Sequence, residues 1–76
     1  MELICQFVED QLACAVKYRG DYHLVNSFKH NAYGAWVFYI CQRIQARATA
    51  EELEALDNEW NNKYRIHFEA LENKAS

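Results

Sequence analysis

Thr49-Ala50-Glu51-Glu52-Leu53-Glu54-Ala55-Leu56-Asp57-Asn58-Glu59-Trp60-Asn61-Asn62-Lys63-Tyr64-Arg65-Ile66-His67-Phe68-Glu69-Ala70-Leu71 decides the fold. It opens on a capping box: the Thr49 hydroxyl is placed to accept the Glu52 backbone N–H, and the Glu52 carboxylate to reach back to Thr49. Glu51, Glu52 and Glu54 then sit at the positive end of the helix dipole. The apolar series Leu53, Leu56, Trp60, Tyr64, His67, Phe68, Leu71 follows in steps of 3, 4, 4, 3, 1 and 3. One face of a helix is the only regular structure that gathers these positions. The spacing predicts a helix over 50–72, about 35 Å long.

Upstream, Phe28, Ala32, Ala35, Trp36, Tyr39, Ile40, Ile44 and Ala48 recur at helical steps, which predicts a second helix over 28–48. Val37, Phe38 and Cys41 widen its stripe, so its middle is expected to be buried nearly all round. A strand over 35–41 is the rival reading of this aromatic and β-branched run, but no second strand is at hand to pair with it. Gly34 weakens a helix relative to Ala, and its expected use is the close approach of another helix. The very short joint at Thr49 makes the two helices an antiparallel hairpin.

Leu3, Ile4, Phe7, Val8, Leu12, Ala15 and Val16 predict a third helix, over 2–18, able to cover the hairpin's open side. Gly20 closes it and Asp21 caps the next segment. Between them and residue 28 a short helical turn is expected at 22–26, with Ser27 as the next N-cap. The chain therefore reads as all-α: one small bundle, residues 1–76, of an N-terminal helix packed on a long antiparallel helical hairpin. Two Gly and no Pro in 76 residues disfavour a turn-rich β-fold.

Size bounds what such a bundle can do. A compact monomer of 9.0 kDa exposes roughly 4,800 Å² and is marginally stable alone. Two Trp, five Tyr and four Phe exceed what so small a core hides. Some are expected against another protein chain, which favours a homo-oligomer, a dimer in the simplest case. The net charge of −3 argues against general nucleic-acid affinity. The imbalance lies in residues 51–76, where seven acidic groups face three basic ones. Met1-Glu2-Leu3-Ile4-Cys5 has no basic region of a secretory leader, and the apolar run 32–41 is half the length of a membrane span. A cytoplasmic protein without membrane attachment is the expectation.

Enzymatic signatures are missing. There is no phosphate-binding Gly loop, no H-E-x-x-H and no G-x-S-x-G. Cys5, Cys14 and Cys41 form no C-x-x-C pair and read as buried reduced thiols; neither a metal site nor a cofactor site is expected. The acids at 51–57 read as dipole compensation, and His67 as a hydrogen-bonded histidine at a packed seam. Arg43 and Arg47, four apart with Gln42 and Gln45 alongside, are expected to share a helix face that pairs with acids such as Glu51 or Glu54. The same segment carries the alternative function, a dimeric regulator reading nucleic acid with Gln42–Arg47.

The run Ala35-Trp36-Val37-Phe38-Tyr39-Ile40-Cys41-Gln42-Arg43-Ile44-Gln45-Ala46-Arg47-Ala48 resembles a segment of small accessory, early-region proteins of tailed phages and prophages, where an aromatic-rich helix ends in Gln-Ala-Arg-Ala. Ile44 stands where a second Trp is usual. The resemblance implies a phage- or prophage-encoded protein that modulates host machinery by binding it, and it transfers no catalytic residue. The leading functional expectation is thus a non-catalytic regulator or inhibitor that occludes a surface of a host protein. Tyr33, Arg43, Arg47, Trp60 and Tyr64 are its expected partner-binding residues, chosen as the aromatic and arginine side chains expected to stay exposed.

Overall fold

Asp21 starts the long central rod of the protein. In the computed structural model, which describes residues 2–75, its side chain accepts the Leu24 backbone N–H at 3.2 Å. From there one unbroken helix, α2, runs Tyr22–Gln45. It is preceded by α1 (Glu2–Lys17) and followed by α3 (Ala50–Glu59), a π-helical stretch over Trp60–Arg65, and α4 (Ile66–Ala75). Every regular element among the described residues is helical. The π-stretch joins α3 to α4 without a break, so the predicted hairpin is present with α1 packed along it.

The separate turn at 22–26 and the start at Ser27 are not formed. Val25, Ala32 and Trp36 continue a single buried stripe across that point. Asn26, which read as punctuation, spends its side chain elsewhere: its Nδ2 donates to Glu72 Oε2 of α4 at 2.7 Å. Lys29 Nζ reaches the other oxygen of the same carboxylate at 2.9 Å. Two α2 side chains thus clasp one carboxylate and fix α2 against α4.

The helix also ends earlier than residue 48. Arg47 adopts a left-handed conformation, φ 63°. Its N–H bonds the Ile44 carbonyl at 3.0 Å, and the Ala48 N–H bonds the Arg43 carbonyl at 2.9 Å. These are the paired bonds of a Schellman ending, with Arg where Gly is usual. Thr49 then caps α3, its hydroxyl accepting the Glu52 N–H at 3.1 Å. The return half of the capping box is absent, because the Glu52 carboxylate turns instead to Arg43, at 2.8 Å from Nε and 2.7 Å from Nη2.

α1 runs antiparallel to α2 and shares its direction with α3 and α4. Tyr18 stacks on Phe28 near one end, while Cys5 lies beside Tyr64 further along. With 16 residues against 24, α1 covers only part of α2, leaving the hairpin tip two helices thick. The rod measures 41 × 18 × 16 Å. It exposes 5157 Å², more than the roughly 4,800 Å² of a compact monomer of this mass.

The core is aromatic. Trp36 is fully buried, with ring centroids 5.5 Å from Tyr64 and 6.2 Å from Trp60. Trp60 stacks on Phe68 at 6.3 Å. On the second rod the buried positions are Leu56, Trp60, Tyr64, Phe68 and Glu72, each four residues from the last. In an α-helix of 3.6 residues per turn, each step of four overshoots by about 40°. A π-turn closes i→i+5 bonds and reverses that drift. The stretch Trp60–Arg65 therefore keeps Phe68 and Glu72 facing α2. The same re-phasing leaves His67 exposed rather than at the seam.

Two polar atoms inside this core, Trp36 Nε1 and Tyr64 Oη, have no hydrogen-bond partner within ordinary geometry among the described residues. Burial, and then the Cys5 thiol beside it, push the Tyr64 hydroxyl above the ordinary phenol range. A buried hydroxyl set beside a weakly accepting thiol gains little from hydrogen bonding, so Tyr64→Phe is expected to leave stability unchanged or raise it by about 1 kcal/mol. Trp60→Ala is expected to cost about 3–5 kcal/mol. Urea unfolding followed by circular dichroism measures both.

Candidate functional site

The π-stretch does more than phase the core. It brings Trp60, Asn61 and Arg65 to one flank of the rod, where together with Asp57 of α3 they face Lys29, His30 and Tyr33 of α2 across a cleft of about 280 Å³. In a uniform α-helix positions 60 and 65 point about 140° apart; the wider turn brings them round to one side. Tyr33 forms the rim. Its ring is half-exposed and lies 5.2 Å from the buried ring of Trp60, which makes the floor.

The polar groups around the cleft are held in place. Lys29 is tied to Glu72, and Arg65 makes a looser pair with Glu69 at 3.6 Å. Asn61 Nδ2 donates to Asp57 Oδ2 at 3.4 Å. An aromatic floor rimmed by cations, an acid and an amide suits a partner side chain that carries both apolar surface and hydrogen-bonding groups.

The structure divides the five expected contact residues into two groups. Tyr33 and Trp60 come together at the cleft, with only Tyr33 exposed, and Tyr64 packs beside Trp60 in the core without lining the cleft. Trp60 and Tyr64 retain 4% and 1% of their accessible surface and belong to the core, which corrects the expectation that they stay open. Their four-residue spacing, kept in phase by the π-turn, turns both rings onto Trp36. Arg43 and Arg47 lie at the hairpin joint. They do not share a helix face, because the helix stops at Gln45 and the left-handed turn separates them. Arg43 is locked onto Glu52, whereas Arg47 is exposed and makes no ion pair among the described residues. The helix that a nucleic-acid reader would use over Gln42–Arg47 is thus broken at its end.

Lys29, His30, Asn61 and Arg65 were not singled out by the sequence. His30 and Lys29 do sit three and four residues before Tyr33, a spacing that shares a helix face. No α-helical spacing joins Trp60 to Arg65. Of the cysteines, Cys5 and Cys14 are partly covered as expected; Cys41 is exposed, which corrects its assignment to the core, and all three are free. No three His, Cys, Asp or Glu side chains among the described residues converge as a metal site would require. Nor is any described helix long and apolar enough to cross a membrane.

No protein-family model, curated protein or solved structure matches this chain.

Glu72 is the group whose titration matters to the cleft. Burial works to raise its pKa, but the bonds from Asn26 and Lys29 outweigh burial and hold it below its usual 4.5. A depressed folded-state pKa contributes stability that is present above the unfolded value and lost as pH falls through the folded one. Thermal unfolding should therefore show stability falling as pH drops below about 4.5, and Glu72→Gln should remove part of that dependence.

Proposed function

We propose that this protein is a non-catalytic protein-binding regulator, encoded by a phage or prophage, that inhibits a host protein in the cytoplasm by occluding one of its surfaces. The observation that carries this reading is the Tyr33 ring, half-exposed over buried Trp60 at the mouth of the cleft. A large amphipathic ring held by a rigid floor loses little freedom on binding, and such rings dominate interface energetics. Lys29, Asp57, Asn61 and Arg65 around it supply donors and an acceptor for a polar partner segment, the two cations being already paired with Glu72 and Glu69.

Arg47 supports the same reading from the hairpin tip. A left-handed conformation costs a non-glycine residue about 1–2 kcal/mol, and Gly would close this turn without that strain. The turn presents an exposed guanidinium, with no ion pair among the described residues, at one end of the rod. The resemblance of residues 35–48 to phage accessory proteins supplies the biological setting, and the surplus of exposed aromatic surface supports self-association as a homodimer.

Tyr33→Ala removes an exposed ring, so helicity and unfolding midpoint should change little while capture of the partner from a bacterial lysate drops at least tenfold. Arg47→Gly should raise stability by about 1 kcal/mol and weaken capture. Full capture by the Tyr33→Ala, Arg47→Gly double variant would contradict the reading.

A further inference from the structure

The geometry points to a second copy of this chain as the occupant of the outer face of α2, seated antiparallel about a two-fold axis level with residue 36. The inference rests on the reading of the protein as a self-associating binding module, and it names the surface and the register.

Ser27, Asn31, Gly34, Phe38, Cys41 and Gln45 are all exposed and follow one another in steps of 4, 3, 4, 3 and 4. That is the spacing of the a and d positions of a coiled coil, repeated over most of the helix and on the side away from Val25, Ala32 and Trp36. α2 therefore carries two seams, one filled by its own chain and one open. Asn31 marks the edge of the open seam, where its amide meets Gln11 of α1 at 3.4 Å.

Three features select a second copy rather than an unrelated partner. First, the seam matches itself. About an axis at residue 36, position 34 meets 38, 31 meets 41 and 27 meets 45. Phe38, 62% exposed, then enters the gap left by Gly34, and the polar Ser27 and Gln45 meet at the rims. Second, the seam carries no Asp, Glu, Lys or Arg, so two identical faces meet without like charges, although the chain as a whole is acidic. Third, Gly34 weakens the helix interior and nothing within this chain requires it. A Cβ there would meet no atom within 4 Å. A bulky ring arriving from outside gives that glycine a use. The seam spans about 27 Å of helix.

In a parallel pair, Phe38 would face Phe38 and Gly34 would face Gly34, leaving a void beside a clash. The antiparallel arrangement also separates the two Cys41 thiols by about 15 Å along the axis, far beyond disulfide reach, and sets each opposite Asn31.

Sedimentation equilibrium of the full chain should show its mass doubling as concentration rises. Phe38→Glu should remain monomeric with an unchanged helical spectrum, and Gly34→Leu should also block association while keeping or raising helicity. With Cys5→Ser and Cys14→Ser in place, Asn31→Cys should yield an oxidised covalent dimer on a non-reducing gel, whereas Cys41 alone should not. A dimer that persists in Phe38→Glu overturns this seam and leaves self-association standing. A dimer cross-linked through Cys41 alone overturns the register. A wild-type chain that stays monomeric overturns both the seam and self-association, without touching host binding at the Tyr33 cleft, which its own capture assay decides.

Discussion

Everything in this fold is organised by the contact between Trp36 and the two rings opposite it, Trp60 and Tyr64. A chain this short buries too little to be stable through many small contacts, and it concentrates burial in a few large ones. The second rod places its buried residues strictly four apart, a period that no straight α-helix satisfies over five positions. The backbone yields: six residues adopt π-helical bonding so that the rings stay in line. The unusual backbone is thus a consequence of side-chain spacing, and the cleft beside Tyr33 is a consequence of the unusual backbone.

Much of this was legible in the sequence, because helical periodicity and caps are local signals. The Thr49 cap, the short joint, the closing role of Gly20 and the pairing of residues 28–45 with 50–72 all follow from residue spacing. What was not legible depends on distant partners. Asn26 looks like a helix breaker until Glu72 is known to lie opposite it. Glu52 looks like half of a capping box until Arg43 claims its carboxylate. Trp60 and Tyr64 looked surplus because the aromatic residues outnumber what so small a core was expected to hide, and the π-turn keeps both rings on Trp36.

The site was legible in the same uneven way. Tyr33 emerges from a surplus of aromatic residues, and the structure leaves it open at a cleft. The cationic flanks of that cleft, Lys29 and Arg65, are separated by 36 positions and joined only through the re-phased turn. Arg43 and Arg47 illustrate the reverse error. A spacing of four suggests one face, but a helix ending between them sends one guanidinium to an intramolecular carboxylate and the other to solvent. On α2, residues that widened the apolar stripe toward full burial, Val37, Phe38 and Cys41, remain outside because α1 occupies a different flank.

The shortness of α1 has a dynamic consequence. Where it overlaps the hairpin, three helices shield one another and the Glu72 clasp ties two of them. Beyond its first turn, the tip around Arg43 and Glu52 depends on two layers and one partly exposed ion pair. Local opening is easiest where buried contacts are fewest. The rod should therefore fray from the joint inward, with amide protons of residues 42–54 exchanging well before those around Trp36. The end that carries Arg47 is then the pliant end of the molecule, free to adjust its shape, while the ring stack behind it stays rigid.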